Sequence, residues 1–176
     1  MEVFQIVEKF DHFLKGKGES FRAVILGGAS LVLQKIITRS TNDIDVVLPE
    51  SLSENMTALA KEFSVIHHLP KDWLNCIPAS VTDYLPELWL NRTKILFEGS
   101  ALTLLTLGRL DLLMTKCWAY CDRSKDLEDI LSLKPTVTEL QVIEEWLKPL
   151  DGNPDWPSHV SLTLNHIRIK IDKERQ

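Results

Sequence analysis

The chain has 176 residues, of which 44% are hydrophobic and 26% charged, with a formal net charge of −5 at neutral pH. That length favours one domain, and about 70% of the unfolded chain's surface can be buried at this size without disulfide or metal staples. The acid excess excludes a global basic field for nucleic acid and leaves only a local basic groove. Three cysteines (Cys76, Cys117 and Cys121) are too scattered for a disulfide framework and read as buried thiols in a reducing compartment. No apolar run approaches the roughly 20 residues of a membrane span. The first residues mix acids and lysines into their apolar pattern, unlike a signal peptide. The expected location is the cytoplasm.

Val3, Ile6, Val7, Phe10, Phe13 and Leu14 recur at helical spacing, which predicts an amphipathic helix ending near Gly16–Gly18. Ala23 to Leu26 is a short apolar run that stops at Gly27-Gly28, so a buried strand over Phe21 to Leu26 should enter a tight turn there. Ala29 to Ile37 follows as a helix with Leu31, Leu33, Gln34 and Ile37 on one side. A second strand from Asn42 to Leu48 is ended by Pro49, which cannot donate to a ladder. Its start carries Asp43 and Asp45. Strand residues i and i+2 share a face, so the two carboxylates should aim together with their Cα atoms about 6–7 Å apart. Ile44 and Val46 should face a core.

Ser51 or Ser53 caps a helix running to about Phe63. Ser64 to His68 reads as a short strand, which would turn His67 and His68 to opposite faces where they cannot share an ion. Lys71 to Leu90, with Trp73, Pro78, Tyr84, Pro86 and Trp89, reads as an ordered loop over the sheet, either a lid or a connection. Thr93–Phe97 and Ala101–Leu107 flank Glu98-Gly99-Ser100 as a hairpin and bring the sheet to four or five strands. Leu110 to Tyr120 is helical, with Leu110, Leu113, Met114 and Cys117 inward and Lys116 off that stripe. Asp122 to Leu133 continues or restarts the helix, with Asp126 and Asp129 as i,i+3 neighbours. Thr136 and Glu139 form a capping box ahead of Leu140, Ile143, Trp146 and Leu147. Val160, Leu164, Ile167 and Ile171 fit a last helix, while Val160, Leu162 and Leu164 also alternate as a strand would. Lys170 to Gln176 is a charged tail.

Three clusters carry chemistry: Gly27-Gly28-Ala29-Ser30, Asp43-Ile44-Asp45, and Lys116 through Asp129. Singly, each has a plain alternative in a common turn, a solvated strand face and a surface ion-pair helix. Their order and spacing together resemble the nucleotidyltransferase superfold, the DNA polymerase β-like group, in which a glycine turn and helix precede a D-x-D or D-x-E strand. Leu112, Lys116, Ala119, Arg123, Lys125-Asp126 and Asp129 resemble the "K-x-x-A-x-x-x-R … R/K-D-x-x-D" helix of the abortive-infection-type nucleotidyltransferase toxins and their uncharacterised bacterial relatives. An Arg-x-Thr precedes the acids in those relatives, as Arg39-Ser40-Thr41 does here. The likeness covers roughly Phe21 to Leu133.

The resemblance implies an α+β fold: a small mixed sheet flanked by helices over residues 1–133, with a helical extension over 134–176 packed on the same domain. It implies an Mg²⁺-dependent transfer of a nucleoside monophosphate from an NTP to a hydroxyl on RNA, protein or a small molecule, and a toxin-like role beside an antitoxin protein. Asp43 and Asp45 would hold the metal, with room for two ions, and Lys116 and Asp126 would join them in catalysis. Gly27, Gly28, Ser30, Arg39, Thr41 and Arg123 would serve the nucleotide. Many superfold members have a third carboxylate on a later strand, for which Glu98, at a turn, is a candidate here; Asp126 or Asp129 would otherwise be the third acid or orient Lys116. Without it, the alternative is a catalytically degenerate member that binds a nucleotide or a partner. A small-molecule transferase would need an acceptor pocket with a general base near the acids.

Overall fold

The computed structural model describes residues 2–41 and 43–174, without the side chain of Glu174. Asn42, expected to open the second strand, and Arg175 and Gln176 of the charged tail lie outside the described residues, as does Met1. The fold is α+β. The chain forms two compact units, one of Met1–Asp83 with Leu88–Gly108 and one of Tyr84–Glu87 with Arg109–Gln176.

The first unit holds α1 (Val3–Lys17), β1 (Phe21–Leu26), α2 (Gly27–Leu33), β2 (Ile44–Leu48), α3 (Glu54–His67), β3 (Leu74–Cys76), α4 (Ala79–Asp83), β4 (Lys94–Glu98) and β5 (Leu102–Thr106). The sheet runs β3-β2-β1-β5-β4. β1 pairs antiparallel with β2 and parallel with β5, β2 pairs parallel with β3, and β4 closes an antiparallel hairpin with β5. Alternation in the strands sorts their side chains. Ala23 and Ile25, Ile44 and Val46, and Leu102 and Leu104 join a core with the apolar stripe of α1 and with Met56, Leu59, Ala60 and Phe63 of α3. Trp73 is buried in that core, edge-on to Phe10, and its indole N–H donates to the Ala60 carbonyl at 3.0 Å. This anchor holds the chain just before β3 and fixes the short strand beside β2.

The Glu98–Ser100 hairpin forms as expected, but a long-range contact secures it. Asp11, 5% exposed on α1, accepts from the backbone N–H groups of Ser100 (3.2 Å), Ala101 (2.7 Å) and Leu102 (2.8 Å) and from the Ser100 hydroxyl (3.1 Å). Burial alone would raise the Asp11 pKa. The donors at Ala101, Leu102 and Ser100 together outweigh it and hold the carboxyl below its ordinary value.

Three local readings change. α2 spans seven residues and ends at Leu33 rather than Ile37, because Gln34 caps it and Lys35 turns left-handed at φ 59°. Ser64 to His67 completes α3 instead of forming a strand, and its apolar pair Val65 and Ile66 is exposed. His68 is the left-handed C-cap of that helix. Lys71 to Leu90 is not one loop, since it contains β3 and α4. Of the two candidate caps, Ser53 is the one used, and its hydroxyl accepts from the Met56 N–H at 3.1 Å.

The second unit holds α5 (Arg109–Arg123), α6 (Leu127–Ser132), α7 (Val137–Leu147) and α8 (Trp156–Glu174). The final segment is helical, with Val160, Leu164 and Ile167 buried. The Thr136–Glu139 capping box is formed, and Glu139 also pairs with Arg109. Glu144 joins α7 to α8 by accepting from Lys148, Ser161 and Arg168, which bring its pKa down to about 2. No helix among the described residues is long and apolar enough to cross a membrane.

Replacing Asp11 with Ala strands several buried donors and should cost about 3 kcal/mol of stability, read from urea unfolding at neutral pH. A depressed folded pKa gives stability that is full above the unfolded value of about pH 4 and is lost as pH falls through the lower folded value. The gap between wild type and the variant should therefore narrow as the pH falls below about 4.

Candidate functional site

In the first unit, the site starts from missing side chains. β1 ends at Leu26, and Gly27 opens α2 with φ +73°, a left-handed backbone that favours glycine. A Cβ on Gly27 would stand 2.6 Å from Asp45 Oδ2, inside contact distance. A Cβ on Gly28 would stand 3.3 Å from both Arg39 Nη2 and Thr41 Oγ1. The glycine pair thus gathers Asp45, Arg39 and Thr41 around one backbone turn. Ser30, fully buried, donates its hydroxyl to the Gly27 carbonyl at 3.0 Å, so it serves the turn itself.

Each acid also has a polar side chain on it. The buried Thr41 donates to Asp43 Oδ1 at 3.0 Å. The Asn75 amide donates to Asp45 Oδ1 at 3.4 Å and to the Asp72 carbonyl at 3.2 Å. Asp43 stands just before β2 and is exposed, while Asp45 is the second residue of β2 and half-buried. Across the sheet, Asp45 faces Leu26 on β1 and Asn75 on β3. Glu98 is no third partner. It is exposed at the end of β4, and β1 and β5 intervene between that edge strand and β2, a lateral separation of about 14 Å at ordinary strand spacing. Among the described residues no group of three or more His, Cys, Asp or Glu is arranged to hold a metal ion.

In the second unit, Lys116 is 6% exposed, so it lies inside α5's buried stripe rather than off it. Its ammonium donates to Asp126 Oδ1 at 2.8 Å and to Asp129 Oδ2 at 2.7 Å. Arg123 reaches the same Asp126 at 3.0 Å from a largely exposed position. Asp126 takes a left-handed φ of 77° at the N-cap of α6, a conformation that Asp tolerates better than most residues. The four formal charges sum to zero, and the buried lysine is matched to two carboxylates.

A family model described as "nucleotidyltransferase of unknown function (DUF6036)" matches residues 1–145. The chain belongs to this nucleotidyltransferase family. No curated protein and no solved structure matches it. The match spans both clusters of this nucleotidyltransferase-family protein, the glycine–acid turn and the Lys116–Asp129 segment.

Asn75 is the polar partner that the sequence reading passes over. The signal is short but present, since Trp73 to Ile77 is a β-prone run stopped by Pro78. The thiols play no part in the acid site. Burial raises the Cys117 pKa and pushes Cys121 up to about 11, which keeps both protonated and unreactive. His67 lies against the Phe63 ring at 4.3 Å and has its pKa lowered by burial and by Lys9, as a packed helix-end residue.

Gly27→Ala should lose about 1–2 kcal/mol from its left-handed backbone alone, with a further loss as Asp45 is displaced. Gly28→Ala should be milder, since its neighbours need yield only a few tenths of an ångström. Denaturant melts of the two variants check that order. Lys116→Ala removes the ammonium shared by two buried aspartates and should destabilise by about 3–5 kcal/mol. Its thermal melt therefore has to accompany any activity measured on it.

Proposed function

We propose that this protein transfers a nucleoside monophosphate from an NTP to an acceptor hydroxyl, with Asp43 and Asp45 as the residues that hold Mg²⁺. The observation carrying this reading is the glycine turn that meets Asp45, Arg39 and Thr41 at contact distance. The donor set fits the ion. Two carboxylates suit a hard cation that keeps several waters and takes phosphate oxygens as its other ligands. When bound, the ion would supply charge neutralisation at the phosphates and orientation of the leaving group.

The chain's own residues supply the rest of the reading. Gly27 and Gly28, lacking Cβ atoms, let Asp45, Arg39 and Thr41 gather at the turn that would receive the phosphates. Arg39, beside Gly28, offers a planar guanidinium suited to phosphate oxygens. Thr41 orients Asp43. In the transfer itself, the acceptor oxygen bonds to the α-phosphorus and the bond from that phosphorus to the pyrophosphate oxygen breaks. The acceptor's proton passes to water. Lys116 and Asp126 enter as a paired unit: the lysine's two carboxylate partners suit it to holding α5 and α6 in place, with Arg123 as the more exposed cation beside them. The likeness of this segment to the abortive-infection-type toxins supports a toxin-like role beside an antitoxin partner. The net charge of −5 weighs toward a protein or small-molecule acceptor over a long RNA.

A second reading, a member that binds nucleotide without transferring it, draws on one observation. The strand partners of Asp45 are Leu26 and Asn75, neither of them acidic. Incubation with each α-labelled NTP, Mg²⁺ and cell extract separates the two. The transferase reading expects label on a macromolecule or small product with wild type, and a loss of at least a hundredfold with the Asp43→Asn/Asp45→Asn pair. A thermal shift with NTP and Mg²⁺ but no label transfer would leave the binding reading. Label transfer that is equal in both proteins would sink the assignment of these acids.

A further inference from the structure

We infer that Asn75 is a positioning residue for Asp45 and that, by standing on the neighbouring strand where a third carboxylate could join a two-ion site, it limits the chain on its own to one divalent cation. This rests on the reading above that Asp43 and Asp45 hold Mg²⁺. Asn75 is fixed from both sides of its strand. Ile44 N–H donates to the Trp73 carbonyl at 2.6 Å, Ile77 N–H donates to the Val46 carbonyl at 2.9 Å, and Trp73 is locked in the core by its bond to Ala60. The register between these points sets Asn75 directly opposite Asp45.

The amide's orientation is set as well. An Asn side chain has two N–H donors on one nitrogen. One reaches the Asp72 carbonyl and the other reaches Asp45 Oδ1. The reversed amide would set its oxygen against both a carbonyl and a carboxylate, so the donor arrangement is the stable one. With Oδ1 on Asn75, Asp45 turns Oδ2 toward Gly27. A neutral amide orients an acid without cancelling its charge, as an ammonium would.

The same position decides the ion count. Two-metal sites sit about 3.5–4 Å apart and clamp the attacking and leaving oxygens together, which calls for carboxylates shared between the ions. The flanking strands offer Asp45 an amide and a leucine, and Glu98 lies across the sheet. Two carboxylates suffice for a single ion completed by water and phosphate.

The test uses the full chain and Mn²⁺ alone, counting free Mn²⁺ by electron paramagnetic resonance for wild type, Asp45→Asn, Asn75→Ala and Asn75→Asp, with metal-free thermal melts of each. The expected result is one Mn²⁺ per wild-type chain, none with Asp45→Asn, and binding weaker by about tenfold or more with Asn75→Ala, the scale of losing a partner of a metal ligand. Asn75→Asp, nearly isosteric, should bind a second Mn²⁺ or hold the first more tightly. If Asn75→Ala lowers the melting temperature but binds Mn²⁺ as wild type does while Asp45→Asn loses it, Asn75 is only structural and the inference falls alone. Wild-type affinity and stoichiometry in Asn75→Asp, or two ions on wild type, would overturn it too. No binding by wild type, or unchanged binding by Asp45→Asn, would strike down the metal reading and the inference with it.

Discussion

The carboxylate of Asp45 occupies space that a side chain on Gly27 would need. β1 can pass into α2 at this point because Gly27 adopts a left-handed backbone, and β2 can bring Asp45 against the turn because Gly27 has no Cβ. The antiparallel register of β1 and β2 places Leu26 opposite Asp45, so the end of one strand and the start of the other share this contact. Thr41 and Arg39 then close over Gly28 in the same way. The two missing Cβ atoms thus seat a carboxylate, a guanidinium and a hydroxyl against one backbone turn.

The two acid clusters of the chain are built differently, and the difference separates their roles. Asp126 and Asp129 receive a buried ammonium, an arrangement that fixes α6 against α5 and is costly to break from one side. Asp43 receives the Thr41 hydroxyl and Asp45 the Asn75 amide, both of them neutral donors. Asp11 shows a third use of a carboxylate. It is buried and satisfied by four donors of the β4–β5 hairpin, and so ties α1 to the far side of the sheet. One residue type thus secures a hairpin, locks a helix pair and, in the function proposed, holds a cation, according to what donates to it.

Local chemistry was legible in the sequence where a few neighbouring residues settle the outcome. The Thr136–Glu139 capping box, the hairpin at Glu98–Ser100 and the Gly27-Gly28 break each rest on chain-local rules, and each stands in the structure. Residues whose role depends on distant partners were not legible. Lys116 reads as lying off the apolar stripe of its helix, yet it is buried because Asp126 and Asp129 return on the next helix to meet it. Asn75 sits in a three-residue strand whose existence depends on Trp73 reaching Ala60, a contact that periodicity cannot register. Val65 and Ile66 read as strand because they are β-branched, but the exposed end of α3 has no core to demand that geometry.

The most direct measurement is a crystal structure of the chain with Mg²⁺ and an NTP analogue whose α,β-bridge cannot be cleaved. The expected result is a cation bound to Asp43 and Asp45, with the phosphates against Gly27 and Gly28 and within reach of Arg39. A nucleotide bound elsewhere on the chain, or phosphates at the glycine turn with no cation on either aspartate, would contradict it.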